Sequence, residues 1–233
     1  MQRHRLTCLL SLCAVALLAA LPGWSGLTDF SPGLIEAMQK RFGAEAPRRL
    51  QQFQSALSQI RRQAGADGIR NAVQTASGKA ELPWLQKVND FFNKVPYLTD
   101  QEHWGVPDYW ATPAEMVASW GGDCEDYAIA KYMSLKELGF PVERLRITYV
   151  RAIKIGETHM VLAYYPYPSA DPLILDNLVD EVQPASQRTD LIPVYSFNDE
   201  DLWLASGVNR KGGASTVRLW REVIERMEKE KRM

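Results

Sequence analysis

Between residues 30 and 64 the apolar positions recur every three to four places. Phe30, Leu34, Ile35 and Met38 lead to Phe42, and then to Leu50, Phe53, Leu57 and Ile60. That period is one face of an α-helix. Ser31-Pro32 is a good helix start, and Gly43 divides the run into two helices. Residues 61–78 are polar and glycine-bearing, which fits either a frayed helix or a loop. Leu82–Val95 returns to helical spacing and ends before Pro96. Residues 97–122 break the pattern. Tyr97, Trp104, Tyr109, Trp110 and Trp120 stand among Gly and Pro with few aliphatic residues, which predicts a long ordered loop packed by its own rings.

A helix is predicted from Cys124 to about Leu138. Asp123 suits the N-cap and Asp126 the acid of a capping box, while Gly139 and Pro141 end the helix. Ala128, Ile129, Tyr132, Met133, Leu135 and Leu138 cover a wide arc, so this helix should be central and mostly buried. Alternation then changes to period two. Leu145–Ala152, His159–Pro166 and Leu173–Asp176 read as strands, joined by segments whose shortness favours antiparallel pairing. Leu191–Phe197 is a further β-like segment. Thr216–Arg232 is a charged amphipathic helix. The expected class is α+β: an N-terminal helical part over about 30–95, a core over about 96–205 and a C-terminal helix over about 215–232.

Composition adds where the protein works. The chain is 46% hydrophobic and 24% charged, ordinary for a domain with a real core. Its net charge of −1 and lack of a basic block argue against nucleic acid as a partner. Arg3, His4 and Arg5 precede the uncharged run Leu6–Leu21, which Pro22-Gly23 breaks before Gly23-Trp24-Ser25. Residues 1–25 therefore read as a secretory signal, with residues 26–233 as the exported domain. The apolar run is shorter than the roughly 20 residues that span a bilayer. An uncleaved anchor is the competing reading, and with the signal removed no stable membrane insertion is expected. Export from the cytoplasm follows. Cys8 and Cys13 lie in the signal, so the exported chain keeps one cysteine, Cys124. It cannot form an internal disulfide there, and is either a buried inert thiol or a reactive one.

Its surroundings favour reactivity. Trp120-Gly121-Gly122-Asp123-Cys124-Glu125-Asp126 puts the thiol on the first turn of a helix, after two glycines that permit close backbone approach. Helix N-termini stabilise thiolates, and their free N–H groups can hold an oxyanion, with the Trp120 indole as a further donor. Only His103 and His159 remain as bases. His159 opens a strand, a rigid mounting, whereas His103 lies in the aromatic segment. Asp176 closes the strand Leu173-Ile174-Leu175-Asp176, where it either accepts the Nδ1–H of His159 or merely begins a turn with Asn177. The acids Asp123, Glu125 and Asp126 are harder to place. Like charge beside a thiol opposes its ionisation. A cation resolves the conflict, and calcium takes carboxylate and carbonyl oxygens. The Trp104–Tyr109 segment is a candidate source of carbonyls. Simple helix capping is the alternative. One cysteine and two histidines at these spacings match no zinc pattern.

Several separated motifs together resemble the bacterial transglutaminase-like cysteine proteinases, and among them the LapG-type periplasmic proteases. They are Trp104-Gly105, Asp108-Tyr109-Trp110-Ala111-Thr112-Pro113, Gly122-Asp123-Cys124-Glu125-Asp126-Tyr127-Ala128, Leu145–Val150, Thr158-His159-Met160-Val161-Leu162 and Leu175-Asp176-Asn177-Leu178. The resemblance is close over residues 80–205. It implies a papain/transglutaminase-like core with Cys124, His159 and Asp176 as catalytic triad, and Ca2+ held by Asp123, Glu125 and Asp126. It also implies a large repeat adhesin as substrate, cut near an Ala-Ala pair so that cells leave a biofilm. An inner-membrane cyclic di-GMP receptor of LapD type is the implied regulator. A transglutaminase-type acyltransferase on the same triad, or a non-catalytic binding module of this fold, are the alternatives.

Overall fold

The computed structural model describes residues 26–233, except 28, 66, 205–208 and 212, and describes only the backbone of 209–211. The signal reading for residues 1–25 lies outside the described residues. Four helices come first: α1 Pro32–Phe42, α2 Ala46–Ala64, α3 Gly68–Thr75 and α4 Leu82–Phe92. Ser31 caps α1, its side chain accepting the Leu34 N–H at 3.0 Å. Along α2, Leu50, Phe53, Leu57 and Ile60 are buried while Arg48, Gln51, Gln52, Gln59 and Arg61 are exposed. This is the segregation an amphipathic surface helix requires.

The aromatic segment is where the structure departs most from expectation. It contains two short helices, α5 Asp100–His103 and α6 Pro113–Ser119. Each opens with a capping box, Thr99 with Glu102 and Thr112 with Glu115. Residues Pro113 to Ala118 are all buried, so α6 is a piece of core. The central helix α7 runs Cys124–Glu137, and Glu125 to Leu135 are buried. A helix covered on every side lacks a polar stripe, which explains the weak amphipathic pattern of this segment.

The strands are β1 Leu145–Ala152, β2 Glu157–Tyr164, β3 Leu173–Leu175, β4 Gln183–Pro184, β5 Leu191–Phe197, β6 Asp201–Leu204 and β7 Asn209–Lys211. They form a sheet in the order β4-β3-β2-β1-β5-β6-β7, antiparallel at every pairing. The short β4, β6 and β7 were not expected. Leu145, Ile147, Leu162, Tyr164 and Leu175 point into the main core with the helices, whereas Val150, Val161, Ala163 and Ile174 form a smaller cluster on the other face. A helix α8, Arg218–Glu230, returns along the core. Trp220 anchors it, its ring centroid 5.6 Å from Tyr132 of α7 and 5.5 Å from Phe197 of β5. That anchor brings Val217, Arg218 and Leu219 to the cavity that also exposes Cys124.

Candidate active site and metal site

α6 ends on Trp120, whose φ of +61° turns the chain sharply. Two glycines follow because neither place has room for a side chain. A Cβ on Gly121 would sit 2.7 Å from His103 Cε1, and one on Gly122 would sit 2.6 Å from Asp126 Oδ2. The close backbone approach expected here is made by the protein itself, since Leu98 N–H donates to the Gly122 carbonyl at 3.0 Å. Cys124 then begins α7.

Cys124 and His159 both line a cavity of about 550 Å³ at the end of the sheet where β2 starts. Trp110, Tyr149, Tyr195, Val217 and Leu219 form its apolar walls, and the Tyr149 and Tyr195 rings stack at 5.1 Å. Antiparallel pairing puts Leu175 opposite Leu162. One residue further, Asp176 falls opposite Val161, two places from His159 and on the same face. The carboxylate reaches back diagonally, and His159 Nε2 lies 2.7 Å from Asp176 Oδ1. The contact therefore uses Nε2, not the expected Nδ1, and Nδ1 is the ring nitrogen left to act as a base. Both side chains are almost fully buried. Burial pushes the Asp176 carboxyl up, but hydrogen bonds from His159, the Leu178 N–H and Arg188 outweigh it and hold the group down at about 2.

Arg188 was not anticipated. Its Nη2 lies 2.7 Å from Asp176 Oδ2 and 3.0 Å from Asp190 Oδ2. His103 lies elsewhere, paired with Ser119 Oγ at 2.8 Å. Trp120 does not line the cavity, and Arg49 covers its ring at 6.0 Å. The free N–H groups of α7, beside Cys124, are the donors available at the thiol.

The acids behave as their charge demands. The Cys124 thiol donates to Glu125 Oε2 at 3.1 Å. Burial first, then Glu125 and Asp123, push this thiol far up, with only the Met160 N–H opposing. Burial and Glu125 likewise push Asp123 up to about 8. Burial raises Glu125, and burial with Glu125 and Asp123 raises Asp126. Asp126 spends one oxygen on the Ala111 N–H at 2.6 Å and the other on the Asp123 N–H at 3.3 Å, tying the aromatic segment to α7.

Two further carboxylates complete the cluster. Asp100, Asp123 and Asp126 offer oxygens within 4.8 Å of one another, and so do Asp100, Asp108 and Glu125. Burial lifts Asp100 to about 6. Asp100 Oδ1 and Asp123 Oδ1 are buried without a partner. Uncompensated carboxylate oxygens facing one another are what a hard cation would satisfy, so the donor set fits an oxygen-ligated divalent ion. The aromatic segment thus contributes two carboxylates, Asp100 and Asp108. The Thr99-x-x-Glu102 capping box was the readable sign that Asp100 starts a helix.

The site thus holds a thiol on a helix N-terminus and a buried imidazole lining the same cavity, with a carboxylate 2.7 Å from that imidazole. The chain belongs to the bacterial transglutaminase-like cysteine proteinase (BTLCP) family, whose model matches residues 56–210. It is similar to Legionella pneumophila LapG. The EGTA-treated structure of that protein is 35% identical, with a TM-score of 0.65, over 83% of this chain and 97% of that one. The calcium-bound structure is 36% identical, with a TM-score of 0.63, over 83% and 98%. Comparison with curated proteins gave no match. No helix among the described residues is long and apolar enough to cross a membrane.

Proposed function

We propose that this protein is a calcium-dependent periplasmic cysteine endopeptidase with Cys124 as nucleophile, His159 as base and acid, and Asp176 as the group that orients His159. One observation carries the reading: Cys124, on the first turn of α7, shares a cavity with His159, whose Nε2 is already engaged by a buried, ionised Asp176. His159 Nδ1 takes the thiol proton. The thiolate attacks the scissile carbonyl, and the α7 N–H groups hold the oxyanion. His159 returns the proton to the leaving amine, then activates water against the thioester. The apolar walls exclude bulk water during the first step.

Calcium bound by Asp123 and Glu125, with Asp100, Asp108 and Asp126, would neutralise the acid charge that adds to burial in holding Cys124 as a thiol. Support comes from the unpartnered oxygens of Asp100 and Asp123 and from the calcium-bound relative. The substrate we infer is the N-terminal region of a large repeat adhesin, cut near an Ala-Ala pair and released from the cell. Its control falls to an inner-membrane cyclic di-GMP receptor of LapD type. The test is to incubate such a segment with the wild type and with Cys124→Ala, in calcium and in EGTA. A single cleavage by the wild type in calcium alone is expected. Cleavage by Cys124→Ala would sink the proposal.

A further inference from the structure

Asp176 has two oxygens, and the triad chemistry uses only one. Oδ1 receives His159 Nε2 at 2.7 Å and the Leu178 N–H at 3.0 Å. Oδ2 receives Arg188 Nη2 at 2.7 Å, on a side chain 4% exposed. A guanidinium taken this far out of water has to be held by charge on more than one side. Asp190 provides the second, accepting from Nε at 3.1 Å and Nη2 at 3.0 Å. The Arg188 backbone is fixed as well, donating to the Ala185 carbonyl and accepting from the Leu191 N–H, both at 3.0 Å, just where β5 begins. Asn93 Nδ2 holds the Asp176 carbonyl at 2.9 Å.

This arrangement does something a buried ion pair at random would not. Removing Arg188 would leave Oδ2 buried and bare, and the carboxylate, held only through Oδ1 by His159 Nε2 and the Leu178 N–H, would be less restrained about its Cβ–Cγ bond. The imidazole would then be less firmly fixed with its proton on Nε2. The guanidinium also balances part of the Asp176 charge. An imidazolium formed during turnover then meets a carboxylate already paired, and can release its proton.

We propose that Arg188 is a positioning residue for the Cys124–His159–Asp176 group: it fills Asp176 Oδ2, keeps Oδ1 on His159 Nε2, and so keeps Nδ1 free for the Cys124 thiol. The proposal rests on the protease reading, and its test needs no protein substrate. Ring 15N–1H spectra report which imidazole nitrogen carries the proton, and a His103→Gln variant assigns the His159 signals. Iodoacetamide alkylation of Cys124, in calcium at a fixed pH, reports reactivity. The wild type should carry a hydrogen-bonded proton on Nε2. Arg188→Met should populate both tautomers and slow alkylation by about ten- to a hundredfold, the range that misplacement of a reacting group produces. Arg188→Lys should recover part of the rate, because a point charge replaces a fork. A folded Arg188→Met protein with the wild-type spectrum and rate overturns the proposal. If that variant does not fold, Asp190→Asn decides: partial mixing of tautomers supports the role, and an unchanged spectrum rejects it. Absence of proteolysis with the tautomer result intact would reject the protease reading and leave the role of Arg188 standing.

Discussion

Lys131 is fully buried in the middle of α7, with Nζ donating to Asn93 Oδ1 at 2.7 Å. Burial lowers its ammonium from 10.5 to about 7, against the pull of Asp176 and Asp180. A lysine whose folded value lies below its unfolded value binds fewer protons in the fold. Stability must therefore rise with pH across the window from about 7 to about 10.5. With those two values the gain between about pH 7 and pH 9 is about 2 kcal/mol. Replacing Lys131 by Met, which has similar volume and no charge, removes this contribution and leaves the other titrations in place. The difference in stability, wild type minus Lys131→Met, should grow by about 2 kcal/mol over that range. That corresponds to about 4–8 °C in Tm for a protein of this size. Thermal and urea unfolding of both proteins at the two pH values measure it. Parallel pH curves would refute the reasoning, because they would mean that Lys131 is not held neutral by burial. Asn93 also supports the Asp176 carbonyl and Asp180. The variant should therefore lose activity at every pH, even where it gains stability.

Calcium and pH should act together. The raised carboxyls of Asp100 and Asp123 favour the fold fully below their unfolded values and lose that favour as pH rises through about 6 and about 8. The stability in calcium minus that in EGTA should therefore grow with pH, reaching about 2.7 kcal/mol where calcium stands 100-fold above its dissociation constant; a pH-independent difference in scanning calorimetry would contradict it. Gly122→Ala forces a Cβ to within 2.9 Å of Asp126 Cβ. It should cost about 1–3 kcal/mol in urea unfolding, and an unchanged midpoint would argue against the tight turn. Asp176→Asn should reduce turnover by about 10³-fold or more, because the amide no longer dictates the imidazole tautomer. Near-wild-type turnover would remove Asp176 from the site.

Local pattern made most of the architecture legible. Leu50, Phe53, Leu57 and Ile60 share one face, and their period alone defined α2. Alternation along Leu145–Ala152 defined β1, and the β-like segment Leu191–Phe197 became β5. What escaped was short or long-range. α5 and α6 are too brief for a period to show, though their Thr-x-x-Glu boxes were present. β4 and β7 are two and three residues long. Within the site, Cys124 and His159 line one cavity with Asp176 buried behind the imidazole, and Asp123 and Glu125 meet where charge repulsion said a cation was wanted. Asp100, Asp108 and Arg188 were not visible, because each looks like an ordinary loop or turn residue until folding brings it beside α7 or β3. The choice of Nε2 over Nδ1 depends on the diagonal offset between β2 and β3, which no linear pattern encodes.

The central claim is that Cys124 is a nucleophile activated by His159 once the surrounding acids are neutralised. The direct measurement is the rate at which a peptide-like epoxide labels the protein, followed by intact mass and located by peptide mapping, in calcium and in EGTA. One adduct on Cys124 is predicted, formed fast in calcium, slowly in EGTA, and slowly in His159→Ala under either condition. Labelling of Cys124 at one rate in all of these would contradict the account.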